Sequence, residues 1–254
     1  MIARRRLLVA APVALLLKAG VRPLAGLAMP ATPAATPAAG GYVHPDWLVA
    51  PDWLQTHLHD ASLRVVALTP ADDFAKGHVP GAAQIDWSAL NLADTSDPAI
   101  AKWEGDIEAK LTRRGLAPAD AVVVYDGGTL YAPRLWWMLR QLGHRDVRVL
   151  NGGEPAWSAS GAPVETGPSR AEPAAQPYQG NPDPSLLATL DAVKAALGKP
   201  DVILVDARTP HEYAAGHIPG AVDIPFTRNA RPDNPKTWLP AADLRAMYAA
   251  AGVT

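Results

Sequence analysis

At 254 residues and 48% hydrophobic content the chain has ample material for buried cores, which excludes disorder of the whole and leaves room for one large domain or two of ordinary size. A formal net charge of −2, with no Lys/Arg cluster beyond the extreme N-terminus, excludes a basic nucleic-acid face, because neutralising phosphates requires clustered cations. The chain contains no cysteine, so disulfides, thiolate metal sites and a cysteine nucleophile are excluded within these residues.

In chain order, Arg4, Arg5 and Arg6 precede an apolar run from Leu7 to Leu17 that is too short to span a bilayer comfortably, the pattern of a targeting signal. The paired arginines resemble a twin-arginine signal, and Gly26-Leu27-Ala28 supplies a small-x-small cleavage site. Residues 1–28 are therefore expected to be removed and the mature protein to be periplasmic or secreted. An uncleaved N-terminal anchor is the alternative, and it is the only membrane association that the sequence offers. Residues 29–41, rich in Pro and Ala, read as a flexible spacer.

Beyond the spacer the chain repeats itself. Gly77-His78-Val79-Pro80-Gly81-Ala82 recurs as Gly216-His217-Ile218-Pro219-Gly220-Ala221, and Asp73-Phe74 recurs as Glu212-Tyr213 at the same offset of 139 residues. Each copy opens with an amphipathic helix, Pro51–Leu58 or Thr189–Leu197, and passes into an apolar, strand-like run, Leu63–Leu68 or Val202–Val205. A helix ending at Arg114-Gly115 and its counterpart, Leu244–Gly252, close the shared part. The first copy continues through a strand at Ala121–Tyr125, a tight loop at Asp126–Ala132 and a helix from Pro133 to Leu142. A strand at Val147–Leu150 then leads into Asn151-Gly152-Gly153 and a short helix through Trp157. The second copy has no counterpart of these elements, and register places the equivalent of Asp126 about nine positions past Thr254. The fold expected is α/β, two domains each made of a parallel sheet flanked by helices, with the second incomplete: 42–166, a proline-rich linker at 167–184, and 185–254.

A strand running through a compact loop into a helix N-terminus points successive backbone N–H groups at one spot, and the helix dipole adds to their field. Such a cradle suits a thiolate, a carboxylate or an oxyanion. Asp126 is the acid that the first copy places there.

These residues resemble the tandem rhodanese-type sulfurtransferases, which include thiosulfate and 3-mercaptopyruvate sulfurtransferases. The resemblance covers Tyr42–Thr254 and rests on both Gly-His-Val/Ile-Pro-Gly-Ala motifs, on Val124-Tyr125-Asp126-Gly127 with Tyr131-Ala132-Pro133-Arg134, on Leu150-Asn151-Gly152-Gly153 with Trp157, and on Asp206-Ala207-Arg208. It implies a non-catalytic first domain, with Asp126 at the counterpart of the catalytic cysteine, and a catalytic cysteine just beyond Thr254. It also implies transfer of sulfane sulfur from a small anionic donor, through a cysteine persulfide, to cyanide or a thiol, with no cofactor and no metal. Arg208 matches the position whose guanidinium binds the anionic donor. The 254-residue chain itself is expected to be inactive for lack of cysteine, and a non-catalytic anion-binding or scaffolding protein is the alternative.

Plainer roles stand beside these. Arg208 can equally form an ion pair with Asp206, Glu212 or Asp223. His78 and His217 read as turn histidines bonded to backbone, and Trp136, Trp137 and Trp157 as core or interface residues.

Overall fold

A computed structural model describes the backbone of Arg6–Leu7, a short strand paired in parallel with Val202–Ile203, and residues 41–233 and 235–253. Apart from Arg6 and Leu7, the targeting segment, its cleavage site and the spacer as far as residue 40 lie outside the described residues. Among those described, no helix is long and apolar enough to cross a membrane.

In the first unit five strands form one sheet: β1 (Leu48–Val49), β2 (Leu63–Leu68), β3 (Ala83–Ile85), β4 (Ala121–Tyr125) and β5 (Val147–Leu150). Their spatial order is β1-β5-β4-β2-β3 and every pairing is parallel, with Leu63 opposite Ala121 and Ala67 opposite Tyr125. Parallel strands are covered on both faces, which is why β2 and β4 are almost continuously apolar. Alternate side chains leave opposite faces of the sheet. Val66, Leu68, Val122 and Val124 pack against α3 (Asp97–Arg113) and α4 (Ala132–Gln141), whereas Val65, Ala67, Val123 and Tyr125 pack on the other face. There they meet Trp53 of α1 (Pro51–His57), Phe74 of α2 (Ala71–Lys76) and Trp157 of α5 (Gly153–Ala159). Each fully buried side chain of this size contributes about 1.5–3 kcal/mol of transfer free energy.

The proline-rich segment after α5 does more than connect. Proline keeps it out of helix, so its backbone donors find partners on the first unit. Ala174 N–H donates to the Thr112 carbonyl at 2.8 Å, Asn181 N–H to that of Leu142 at 2.9 Å and Asp183 N–H to that of Gln141 at 2.6 Å. Gly143, at φ +79°, lets the strap pass: a Cβ there would lie 2.5 Å from the Asn181 carbonyl oxygen. Buried Tyr178 anchors its middle through a 2.8 Å bond between Oη and His144 Nδ1.

The second unit contains α6 (Leu190–Ala196), β6 (Val202–Ile203), β7 (Val205–Asp206), α7 (Pro210–Ala215), β8 (Val222–Asp223) and α8 (Ala241–Ala250). Strands β7 and β8 pair in parallel, Val205 opposite Val222 and Asp206 opposite Asp223. These pairs stand at the repeat positions of Val66 opposite Ala83 and Ala67 opposite Gln84, so the β2–β3 register is reproduced. The sequence run Val202–Val205 is divided at Leu204 rather than forming one strand. Contacts between units include Tyr42 Oη to the Leu239 carbonyl at 2.5 Å and Trp238 N–H to Asn151 Oδ1 at 2.9 Å.

Candidate functional site

The end of β4 delivers Asp126 into a loop that turns directly into α4. Its buried carboxylate collects the N–H groups of that loop: Oδ1 accepts from Gly128 at 2.7 Å, Thr129 at 2.8 Å and Leu130 at 3.3 Å, and Oδ2 accepts from Ala132 at 2.7 Å. Four donors converge on one anionic group at the positive end of a ten-residue helix. The loop holds this shape at the cost of left-handed backbone at Gly128 (φ +84°) and at Leu130 (φ +65°), a residue type that rarely adopts it. From behind, the Asp126 carbonyl accepts from Glu154 N–H at 2.8 Å, and a Cβ on Gly153 would collide with that same oxygen. Gly153 is therefore a packing requirement of the cradle, whereas a Cβ on Gly152 would meet Ala156 and Pro235.

The first unit thus has a cradle already filled by its own carboxylate. A cavity of about 290 Å³ lies beside it, lined by Thr69, Trp87, Tyr125 and Thr129 together with the acids Asp73 and Glu154 and, among the described residues, with no Lys or Arg. An incoming anion would find its donors taken and two carboxylates nearby.

Arg208 follows β7 in the second unit. Its Nε lies 2.9 and 3.1 Å from the two Asp206 oxygens, and its Nη2 donates to Asp206 Oδ2 at 2.6 Å and to the Gly216 carbonyl at 2.8 Å. Hydrogen bonding to Arg208 holds the Asp206 carboxyl below its ordinary pKa. Of the partners that the sequence allowed, the structure selects Asp206, while Glu212 is occupied in a capping box with Thr209 at the start of α7. Arg208 Nη1 makes no hydrogen bond among the described residues, and the side chain is half exposed, at the mouth of a groove of about 820 Å³ lined by Val193, Leu204, Ile218 and Ala221. No hydrogen bond or ion pair joins Arg208 to Asp126; they belong to different units.

The two motif histidines behave alike. His78 Nδ1 bonds to the Phe74 carbonyl at 2.9 Å and its ring stacks on Phe74 at 3.7 Å; His217 bonds to the Tyr213 carbonyl at 3.0 Å and stacks on Tyr213 at 3.8 Å. Trp157 is fully buried, whereas the indole N–H groups of Trp136 and Trp137 donate to the Val147 and Leu186 carbonyls at 2.9 and 3.1 Å. Among the described residues, no group of three or more His, Asp or Glu is placed to hold a metal ion.

Sequence reasoning missed Glu154 behind the cradle and Asn151 between the units. Their signal was the Asn-Gly-Gly turn itself, since paired glycines mark places where backbone must approach backbone.

A sequence model of the rhodanese-like domain matches residues 50–160 and 189–248. The chain belongs to the rhodanese family. It is 36% identical over 246 residues to the sulfur carrier protein TtuD of Thermus thermophilus, an alignment covering 84% of this chain and 81% of that protein. It is 32% identical over 241 residues to the mitochondrial thiosulfate/3-mercaptopyruvate sulfurtransferase 1 of Arabidopsis thaliana, covering 79% of this chain and 63% of the plant protein. The crystal structure of SseA from Escherichia coli, described as a 3-mercaptopyruvate sulfotransferase with the rhodanese fold, superposes with a TM-score of 0.72 at 27% identity, covering 82% of this chain and 84% of that one. The two matched segments are the two copies of the repeat, so the α/β fold with two rhodanese-like units is established.

Proposed function

We propose that this rhodanese-family chain serves sulfane-sulfur transfer, from thiosulfate or 3-mercaptopyruvate to cyanide or a thiol, and that the first unit is the non-catalytic partner in that chemistry. The observation that carries this reading is the cradle at Asp126: four backbone N–H groups converging on one anionic atom pair at the end of a central strand are what a thiolate or persulfide requires. With thiosulfate, a thiolate attacks the outer sulfur, sulfite leaves with the bonding pair, and the persulfide then yields its outer sulfur to cyanide as thiocyanate, which regenerates the thiolate. Asp126 holds the place of that sulfur but carries none, and residues 1–254 contain no cysteine. The thiolate must therefore come from outside these residues, and the 254-residue chain should form no thiocyanate above a no-protein control.

Arg208 is proposed to present its unused Nη1 to the anionic donor while Asp206 fixes the plane of the guanidinium. The arginine-led N-terminus supports export across the inner membrane, with the mature chain beginning near Met29. Mass spectrometry of exported protein checks this, and an intact Met1 would favour the anchor.

The decisive experiment introduces sulfur into the cradle. Asp126→Cys should give a thiol that iodoacetamide alkylates well below the ordinary Cys pKa of about 8.5, because the same donors stabilise its thiolate. A thiol titrating at or above the ordinary value would defeat the cradle reading.

A further inference from the structure

We propose that the Pro/Ala-rich segment Met29–Gly40 docks, within its own chain, into an aromatic cleft between the two units. The cleft has a volume of about 320 Å³, and its wall is almost wholly apolar. The first unit contributes Tyr42, Trp47, Pro133 and Trp136, and the second contributes Trp238 and Leu244. Trp47 and Trp136 meet at 4.5 Å between ring centroids, and the Arg140 guanidinium lies within 5.9 Å of both rings. Clustered Trp and Tyr rings are the surface that polyproline segments use, because a proline ring packs flat on an indole face and the extended segment loses little conformational entropy on binding. The chain carries such a ligand next to the cleft. Pro30-Ala31-Thr32-Pro33 places two prolines three residues apart, on one edge of a polyproline II helix, and Pro37 follows.

The tether decides between this occupant and others. Tyr42 is itself part of the cleft wall, and Val43 beside it is 81% exposed at the mouth. Gly41, immediately before them, has φ +69°, and its carbonyl accepts from Arg245 Nη1 at 3.0 Å, next to the cleft residue Leu244. The segment therefore leaves a fixed point at the rim of the cleft, and a ligand tied by so few residues acts at millimolar effective concentration without any second molecule.

The test uses the full chain labelled with 5-fluorotryptophan, whose eight tryptophans give resonances assignable by single Trp→Phe substitutions. Replacing Pro30, Pro33 and Pro37 by Gly should shift the Trp47, Trp136 and Trp238 resonances and leave those of Trp53, Trp103 and Trp157 unmoved as internal controls. Adding a synthetic Met29–Gly40 peptide to this variant should restore the original shifts, and a peptide with the prolines replaced by glycine should not. Unchanged cleft resonances in the triple variant would overturn the proposal. So would shifts in the wild-type chain that vary with protein concentration, since these would assign the cleft to a second copy.

Discussion

The same six-residue motif is buried in one unit and open in the other. His78 and Val79 are 2% and 0% exposed, whereas Ile218, the repeat counterpart of Val79, is 44% exposed. Local structure does not distinguish them, since both histidines make the same backbone bond and the same stack, and the strand registers coincide. What differs is the cover. In the first unit Val79 N–H donates to Tyr125 Oη at 3.1 Å, His78 exchanges two backbone bonds with Glu165, and Trp157 closes the face. None of the described residues does this for Ile218. The motif is thus a local device whose structure does not depend on its burial, and burial is supplied by elements far along the chain.

The comparison is sharpened most by the aromatic partners of the two histidines. Phe74→Ala should cost about 3–5 kcal/mol, as for other buried aromatic truncations, measured by urea unfolding. Tyr213→Ala, at the same repeat position on a partly open face, should cost far less. Equal losses would mean that the two faces are equally covered in solution.

Next is the cradle. Asp126→Ala leaves four loop N–H groups without their acceptor and should destabilise the first unit by about 2–3 kcal/mol, while the far-ultraviolet circular dichroism stays unchanged. No loss would show that water replaces the carboxylate without strain at Leu130.

The strap gives a smaller, pH-dependent effect. His144 Nε2 bonds to the Asp120 carbonyl at 2.9 Å, which requires a proton on Nε2, and in the neutral ring Nδ1 is then the acceptor of the Tyr178 hydroxyl. Burial lowers its pKa below the ordinary value, against opposing contributions from Asp120 and Asp146. The unfolded chain then takes up this proton first as pH falls below about 6.5, so stability is fully present above that pH and declines until the folded value is passed. Unfolding free energies at pH 7.5 and 5.0 should differ more in the wild type than in His144→Gln, and an identical difference would remove His144 as the cause.

Smallest is Arg208→Ala. An exposed ion pair contributes little, so the melting temperature should barely move and the change should vanish at high salt. A large loss would make the Asp206–Arg208 pair structural rather than a reserve for an anion.

Repetition, strand pattern and glycine placement made the fold class legible, because periodicity and turn chemistry are local and survive in a bare sequence. Asp126 was legible as the acid in the cradle, since strand, loop and Pro133 announce a helix start whose donors need an anion. How the linker packs was not legible: prolines reveal what a segment cannot form, but not where its freed donors go, and only the approach of Asn181 to Gly143 shows a strap. The choice of Asp206 over Glu212 and Asp223 for Arg208 also belonged to tertiary structure, because all three carboxylates lie within reach in sequence. By itself the sequence determined two copies of one α/β unit and the cradle loop of the first. Which copy of the shared motif became core was decided by contacts between residues more than forty positions apart, such as Val79 with Tyr125, a separation at which sequence pattern carries no register.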